Sequence, residues 1–274
     1  MKRYTLAELL SYEISRYIQD EDEMGFIGVG TGGEAFILAI GIPAVASRIA
    51  QLNQAPDYMV MFGPIIDAKL DEKDVPKTQY EYDLIHWPAR AQITVEEALT
   101  IFKQGKMGIG FVSAAQIDIY GNLNITRINN NNQDSQIRLP GSLAQTDHHA
   151  YAKKTIVTIK HSKRNFVEKV DFVSAVGHNN QKGLPGGGPI LVVSDIAVMD
   201  FNSQTKKMRL KSIHPGNTIK DVLDNTGFDM EIPDEIPKTK EPNEETLKLI
   251  RERIDPNGNF LEAKMSLVPA ELKR

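Results

Sequence analysis

Residues 107–114 constrain the fold of this 274-residue chain more than any other segment, because the run is almost wholly apolar. A strand with one face in water alternates polar and apolar residues, whereas a strand inside a parallel sheet is apolar on both faces. The run therefore predicts a central strand that other elements cover on both faces.

Helix patterns and strand patterns alternate through the first half of the chain. Thr5 and Glu8 have the spacing of a capping box, which begins a helix, and Thr94 and Glu97 repeat it. Residues 58–62 form a short apolar strand between these helices. The alternation predicts an α/β fold: an open, mostly parallel sheet covered by helices on both faces.

The second half contains strands predicted at residues 155–159 and 166–173, and its last part becomes polar and Pro-rich. We predict one α/β domain over residues 1–230. Residues 231–274 are predicted to be a C-terminal extension with one amphipathic helix, packed on the same domain.

The composition excludes several classes of site and partner. The chain has no cysteine, which excludes disulfides, thiolate metal sites and cysteine nucleophiles. Its net charge of −4 comes from mixed signs without a basic block, so we predict no nucleic-acid partner. The six histidines lack the spacing of a metal site. No signal-peptide pattern is seen, and Gly41 and Pro43 interrupt the apolar run at residues 35–50, so we predict a cytoplasmic protein without a membrane span.

Residues 110–126 form an apolar strand, a polar turn at Gly121 and Asn122, and a second alternating strand. The segment, G-F-V-S-A-A-Q-I-D-I-Y-G-N-L-N-I-T, resembles the β subunits of family I CoA-transferases, the glutaconate type in particular. Further matching motifs follow in order at residues 138–141, 161–172, 183–189 and 249–256. The resemblance therefore extends over nearly the whole chain.

The resemblance implies an open α/β sheet of the CoA-transferase type. It implies a homologous α subunit as partner, with the active site at their interface, and an acyl-CoA thioester as substrate without a bound cofactor or metal. In the family, a glutamate attacks the acyl-CoA and holds CoA as a thioester until a second carboxylate takes it.

The family's nucleophilic glutamate is missing from this chain. In the family it follows Ala-Pro-(Asp/Asn) and a short strand, and the matching stretch here starts at residues 55–57. Without gaps the glutamate falls on Gly63, and a slip of one residue puts it on Phe62 or Pro64. None of the three side chains can be a nucleophile, so Phe62 and Gly63 are predicted to border the substrate instead.

The loop after the Arg-Leu-Pro-Gly motif is a second departure from the family. The family's loop is rich in Gly, Asn and Asp, whereas this chain has Asp147, His148 and His149 side by side. As catalytic groups they would deprotonate a water or accept a proton from a substrate carbon. Alternatively, Asp147 caps a helix that begins at Ala150, and the histidines are polar surface residues or contact a partner. The sequence leaves both interpretations open.

Two other polar residues are candidates. Glu34 is a candidate replacement carboxylate, although a first-turn glutamate more often complements a helix dipole. Gln116 lies where open α/β sheets bind ligands, so we predict it as a substrate-binding residue. The neighbouring Asp118 is assigned to shaping the hairpin turn.

Two glycine-containing stretches are candidate CoA contacts. Residues 41–43, Gly41-Ile42-Pro43, resemble the family's G-(I/L)-P turn, whose backbone N–H groups help to line the acyl-CoA site. Pro43 suits the first position of the helix that this turn would open. Gly186 and Gly187 would approach CoA through their backbone N–H groups, or form a tight turn between strands.

Taken with the missing glutamate, the resemblance predicts a β-type subunit that processes an acyl-CoA by altered chemistry. Hydrolysis and C–C cleavage both fit, because water then replaces the glutamate as nucleophile. True CoA transfer by a relocated carboxylate is one alternative, and a non-catalytic binding or scaffold subunit is another.

Overall fold

The computed structural model describes residues 3–29, 32–70, 75–76, 81–129, 136–142, 144–179, 182–262 and 264, with Glu81 through its backbone only. The chain divides into two compact units, residues 1–111 with 240–274 and residues 112–239. These divisions differ from the predicted boundary at residue 230. The segment that begins at residue 240 belongs to the same unit as residues 1–111.

Side-chain caps begin four of the helices. Thr5, Thr94, Thr218 and Asn243 each accept a hydrogen bond from a backbone N–H of the first turn. In chain order, the α-helices are α1 (Leu6–Ser15), α2 (Glu34–Phe36), α3 (Ile42–Asn53), α4 (Glu81–Leu84), α5 (Val95–Lys103), α6 (Gln145–Tyr151), α7 (Ile219–Asp224) and α8 (Glu244–Leu249). A 3-10 turn covers Asp20–Asp22, and π-helical turns cover Ile37–Gly41 and Ile250–Ile254.

Most strands are short. They are β1 (Met24–Ile27), β2 (Met59–Phe62), β3 (Ile65–Ile66), β4 (Ala91–Gln92), β5 (Ile109–Ser113), β6 (Gln116–Ile117), β7 (Leu123–Asn124), β8 (Arg127–Asn129), β9 (Gln136–Arg138), β10 (Lys154–Thr158), β11 (Pro189–Val193), β12 (Ala197–Phe201) and β13 (Met208–Ile213).

In the first unit, β1 is flanked by two parallel neighbours, β2 and β5. Met24 lies opposite Met59 and Ile27 lies opposite Phe62, so β1 and β2 end at the same edge. Every residue of β1 and the first four of β5 are buried, as expected of strands covered on both faces. The apolar run at residues 107–114 thus forms the predicted buried strand.

In the second unit, β10 and β11 are parallel, and β12 and β13 continue in antiparallel pairing. The strands β6 and β7 form a separate hairpin, as do β8 and β9. Phe166, Val192 and Leu210 belong to the apolar core of this unit. The predicted strand at residues 166–173 is replaced by one isolated bridge between Phe166 and Ile117.

The α/β class is confirmed, and the strand pairing is mixed rather than mostly parallel. Only Gly63 and Pro64 separate β2 from β3, and a short loop likewise joins β11 to β12. Connections of this length permit antiparallel neighbours only, because a parallel neighbour needs a crossover of a dozen or more residues. The antiparallel pairing of β2 with β3 and of β11 with β12 therefore follows directly from loop length.

The predicted turn at Gly41-Ile42-Pro43 is wrong, because helix continues from Glu34 to Asn53 without a break. Gly41 has a helical φ of −61°, and the Ile42 N–H donates to the Ile37 carbonyl, five residues back. This wider π-helical turn lets the chain pass Pro43, which has no N–H to donate and would crowd the preceding turn. The proline therefore widens the helix instead of opening it.

Among the described residues, this 20-residue segment is the one helix that is long and apolar enough to cross a membrane. Within its most apolar window, 61% of the residues are buried inside the chain. The core helix of a soluble protein can be equally long and apolar, so these two properties alone do not assign the segment to a membrane.

An ion pair between the buried Glu8 carboxylate and the half-exposed Arg251 guanidinium joins the two ends of the chain within the first unit. The Arg251 guanidinium donates two hydrogen bonds to the Glu8 carboxylate, at 2.6 and 2.9 Å. The Thr5 N–H donates to the same carboxylate at 2.7 Å. Burial alone would raise the pKa of Glu8, but these partners outweigh it and lower the pKa.

We expect Arg251→Met to lower the free energy of unfolding by about 1–2 kcal/mol, because it leaves the buried Glu8 carboxylate without its main partner. The figure allows for solvent screening, since the Arg251 side chain is 50% exposed. Chemical denaturation at pH 7 measures the change. Glu252→Ala, which removes an exposed ion pair with Lys248, is the matched control and changes stability by less than about 0.5 kcal/mol. Equal effects of the two variants would contradict the assignment.

Candidate functional site

The carboxyl ends of β1 and β2 meet at Gly63, the position where the resemblance puts the family's glutamate. The Gly63 N–H donates to the Ile27 carbonyl at 3.0 Å, and Gly63 has a φ of +56°. A Cβ added there would lie 3.0 Å from a Val29 methyl. A glutamate at this position would need both a left-handed backbone and movement of Val29. Open α/β sheets bind ligands at this kind of edge.

Phe62 precedes Gly63 and points into the interior. Its ring packs edge-on against Trp87 at 5.3 Å and against Phe260 at 6.5 Å, between centroids. We call Phe62, Trp87 and Phe260 the aromatic cluster. All three side chains are almost fully buried. The Phe62 ring therefore packs within the chain, which does not support its predicted contact with substrate.

Gly41, Ile42 and Pro43 do not offer the predicted row of N–H donors. The Ile42 N–H is used inside the helix, and Pro43 has none. Gly41 is buried so closely that an added Cβ would lie 2.3 Å from the Phe260 carbonyl oxygen. Glycine is needed at position 41 for this backbone contact. The three residues belong to a continuous helix, so the prediction that their N–H groups line an acyl-CoA site is wrong.

Glu34 lies in the first turn of the helix that follows β1, and it is exposed. Gly33 precedes the helix with a φ of +63° and provides no side-chain cap. Glu34 is thus placed where its charge complements the helix dipole. Its role as a catalytic carboxylate stays a prediction.

Helix α6 contains Asp147, His148 and His149, and it starts at Gln145 rather than at Ala150. Asp147 is therefore inside the first turn and is not the cap. Both histidines are buried, His149 completely, so their predicted place on the surface is wrong. Consecutive helical residues point about 100° apart, so the three side chains cannot converge on one reacting atom.

His149 is held inside the second unit as a neutral ring. Its Nδ1 donates to the Val176 carbonyl at 2.9 Å, because a carbonyl can only accept. Burial lowers the pKa of His149 to about 4; the bond to Val176 opposes the shift and the charge of His178 adds to it. A general base works best with a pKa near the working pH, so this environment makes His149 a weak one.

Another buried histidine lies beside a serine. His161 Nδ1 is 2.9 Å from Ser194 Oγ, and His161 Nε2 is 3.0 Å from Thr226 Oγ1. Burial, and secondarily the charge of His214, lower the pKa of His161 to about 3. Ser194 is fully buried and donates to the Ala197 carbonyl, so this pair joins segments of the core and offers no accessible nucleophile.

Gln116 and Asp118 are used within the hairpin region. The Gln116 amide donates to Asp171 at 3.0 Å and accepts from Asn124 at 2.8 Å. Asp118 accepts hydrogen bonds from both the backbone and the side chain of Asn122, while burial raises its pKa. The motif that carries the family resemblance thus supplies hydrogen bonds that fold the hairpin, which agrees with the turn-shaping interpretation of Asp118.

Gly186 and Gly187 pack against the backbone that follows α6. Their N–H groups donate to the Ala150 and Ala152 carbonyls at 2.9 and 3.0 Å. A Cβ on Gly187 would lie 2.0 Å from the Lys153 carbonyl oxygen. Close packing against backbone accounts for both glycines, and their N–H groups are already used within the chain instead of being open to CoA.

Sequence reasoning missed Gln145. Its Nε2 donates to the Ser113 carbonyl at the end of β5, and the residue is 8% exposed. Its Oε1 has no hydrogen-bond partner among the described residues. A single glutamine beside three ionisable groups carries no pattern that would have identified it. Phe260 was missed too, because it lies about 200 residues from its partner Phe62.

The described residues contain no group of three or more His, Asp or Glu side chains that could hold a metal ion.

Comparison with known proteins adds independent information. A family model described as Coenzyme A transferase matches residues 31–225. The chain is 29% identical to the B-type subunit of the 3-oxoadipate CoA-transferase of Pseudomonas knackmussii, covering 92% of this chain and 94% of that protein. It is 30% identical to the B-type subunit of the glutaconate CoA-transferase of Acidaminococcus fermentans, covering 98% of both.

The chain is also similar to a solved transferase structure and to a subunit of a hydrolase. The crystal structure of glutaconate coenzyme A-transferase from Acidaminococcus fermentans superposes with a TM-score of 0.76 at 28% identity, covering 94% of this chain and 98% of that one. The cholesterol ring-cleaving hydrolase IpdB subunit of Rhodococcus jostii is 28% identical, covering 79% of this chain and 83% of that protein.

The buried histidines predict how stability depends on pH. The unfolded chain takes up protons below a pKa of about 6.5, whereas folded His149 stays neutral down to about pH 4. Stability is therefore complete above about pH 6.5 and falls by about 1.4 kcal/mol per pH unit for each such histidine below it. Urea unfolding at pH 7.5, 6 and 5 measures the slope. His149→Gln should reduce the slope, and an unchanged slope in this variant would contradict the assignment.

Gly187→Ala distinguishes a structural glycine from a CoA contact. The added Cβ meets the Lys153 carbonyl, so we expect a loss of about 1–3 kcal/mol in the free energy of unfolding. The same loss should be seen with and without added CoA, measured by chemical denaturation. Gly28→Ala is the control, because nothing lies within 4 Å of an added Cβ there. A normal stability with weakened CoA binding would instead support the predicted contact.

Proposed function

Because this chain belongs to the coenzyme A transferase family, we propose that it is the B-type subunit of a two-subunit enzyme that processes an acyl-CoA. The family model confirms the resemblance first seen at residues 110–126. The two relatives that it matches over more than nine-tenths of its length are both named as the B-type subunits of their enzymes. The proposed partner is therefore a homologous A-type subunit, and the proposed substrate is a CoA thioester without a bound cofactor.

The proposed reaction is hydrolysis of the acyl-CoA, and one observation carries it: Gly63 occupies the position where the resemblance puts the family's glutamate. In this reaction water adds to the thioester carbonyl carbon and the C–S bond breaks. CoA leaves as the thiol with a proton from the attacking water, and the acyl group leaves as a carboxylic acid. No covalent enzyme intermediate is needed, so the loss of the nucleophile is compatible with turnover.

The environment of Gly63 supports this loss of the covalent route. The site is buried, left-handed in φ and closed by Val29, so it is shaped for a residue without a side chain. Asp67, four positions on, accepts from Gln51 at 3.0 Å and lies 3.5 Å from Arg90. Asp67 is thus occupied in holding the loop to α3, which argues against its use as a replacement nucleophile.

A relative with another reaction lends support to water as the nucleophile. The IpdB relative is named as part of a ring-cleaving hydrolase, and the chain matches it over 79% of its own length. C–C cleavage with water is therefore a second form of the same proposal. The acyl group decides between the two forms.

CoA transfer remains the alternative, since both relatives matched over more than nine-tenths of this chain are named as transferases. It would require a relocated carboxylate. Glu34 is the candidate, because it is exposed and begins the helix that follows β1. A carboxylate acceptor would then be obligatory for turnover.

The test is an assay of the purified complex of this chain with its A-type partner. Free thiol is measured across a panel of acyl-CoAs with and without a carboxylate acceptor, while mass spectrometry follows CoA onto the acceptor. We expect thiol release that does not depend on acceptor. Acceptor-dependent transfer without thiol release would overturn the hydrolysis proposal, and silence across the panel would favour a non-catalytic role for the chain.

Variants of the same complex separate the two reactions. Gly63→Glu in a Val29→Ala background restores the carboxylate and makes room for it, so acceptor-dependent transfer should rise. Gly63→Gln in the same background has the same size without a nucleophile and should show no rise. Glu34→Gln should leave thiol release unchanged, whereas a loss of at least about a hundredfold in transfer would identify Glu34 as the nucleophile.

A further inference from the structure

We propose that Phe260, from the C-terminal segment, is a positioning residue that holds the Gly63 turn in place for the reaction. The inference rests on the proposed function, which places the chemistry at this turn. It assigns a role in the site to a part of the chain some 200 residues away in sequence. Three separate contacts of Phe260 support it.

The first contact fixes the backbone of Phe260. The buried Asp255 carboxylate accepts the N–H groups of Asn259 at 2.6 Å, Phe260 at 3.2 Å and Leu261 at 2.8 Å. Burial raises the pKa of Asp255, and these three N–H groups oppose the rise. A carboxylate that collects three consecutive N–H groups leaves the segment little freedom, so Phe260 has one defined position.

The second contact places the ring beside the turn. The Phe260 ring stacks on Trp87 at 6.3 Å and meets Phe62 edge-on at 6.5 Å, between centroids. Phe62 is the residue before Gly63. Trp87 and Phe260 therefore both pack on Phe62, the last residue of β2, with the edge-on geometry that aromatic pairs favour.

The third contact reaches the helix that follows β1. The Phe260 carbonyl lies against Gly41, where an added Cβ would be only 2.3 Å from the oxygen. One residue thus touches both the end of β2 and the helix that starts after β1. Gly63 directly follows β2 and has no side chain to fix its own position, so its position depends on its hydrogen bond to Ile27 and on the packing of the neighbouring Phe62.

The test compares Phe260→Leu with Phe102→Leu in the complex with the A-type partner. Phe102 is fully buried in the same unit, packs on Phe26 and loses the same volume. We expect Phe260→Leu to lower kcat for thiol release by about tenfold to a hundredfold with little change in KM, as a small misplacement of reacting groups does. Phe102→Leu should lose a similar amount of thermal stability and keep its kcat.

Hydrogen exchange gives a second readout that does not depend on activity. In Phe260→Leu, amide exchange should rise in the peptides that cover residues 36–45 and 59–66, and it should stay unchanged there in Phe102→Leu. Unchanged exchange in Phe260→Leu would overturn the proposal. So would equal losses of kcat in the two variants, since both would then reflect stability alone.

Gly41→Ala provides a variant that leaves the aromatic cluster intact. Its Cβ pushes on the Phe260 carbonyl from the helix side, so exchange at residues 59–66 should rise although that segment is not mutated. No change there would overturn the coupling. If the wild-type complex releases no thiol from any acyl-CoA, the proposed function fails while the exchange results still decide whether Phe260 holds the turn.

Discussion

The packing of this chain depends on places where backbone touches backbone, and glycine makes each of them possible. Gly41 meets the Phe260 carbonyl, Gly108 meets the Asp22 carbonyl and Gly187 meets the Lys153 carbonyl. In each case a Cβ would lie within 2.3 Å of the oxygen, so no other residue fits without displacement. These contacts bring the segments closer than side-chain packing allows, and they fix loops that have little regular structure of their own.

The same constraint distinguishes the glycines that pack on backbone from Gly63, the glycine that we propose borders the site. The sequence predicts two glycine-containing stretches as CoA contacts, and it gives no chemical difference between these glycines and Gly63. The structure shows that Gly41, Gly186 and Gly187 serve backbone packing, whereas Gly63 ends a strand with a left-handed backbone at the edge where such sheets bind ligands. The sequence alone does not distinguish these two kinds of glycine, because the distinction depends on which backbone atoms lie next to each one in the folded chain.

Patterns that depend on near neighbours were predictable from the sequence. The capping boxes at Thr5 and Thr94 and the buried strand at residues 109–113 follow from spacings of a few residues. The helix through Gly41 and Pro43 was not predictable, because a π-helical turn absorbs a proline that usually ends or opens a helix. The burial of His148 and His149 was not predicted either. Their polar sequence neighbours are typical of a surface loop, and the residues that cover the two side chains are distant in sequence. That the family's glutamate falls on Gly63 stays a prediction from the resemblance, and the aromatic surroundings of that turn come from distant residues.

The π-helical turn at Ile37–Gly41 has a consequence for the helix that contains it. Such a turn holds one residue more than an α-helical turn, so it acts as a one-residue insertion that leaves both ends helical. Each residue advances an α-helix by about 100°, so the part before the turn is rotated by about that angle relative to the part after it. The helix therefore has two phases: the second sets the face of Val45 and Ile49, and the first sets the direction of Glu34 independently. Deleting a single residue from the Ile37–Gly41 turn would remove this offset and rotate Glu34 by about 100° around the helix axis. The other side chains of the helix would be unchanged.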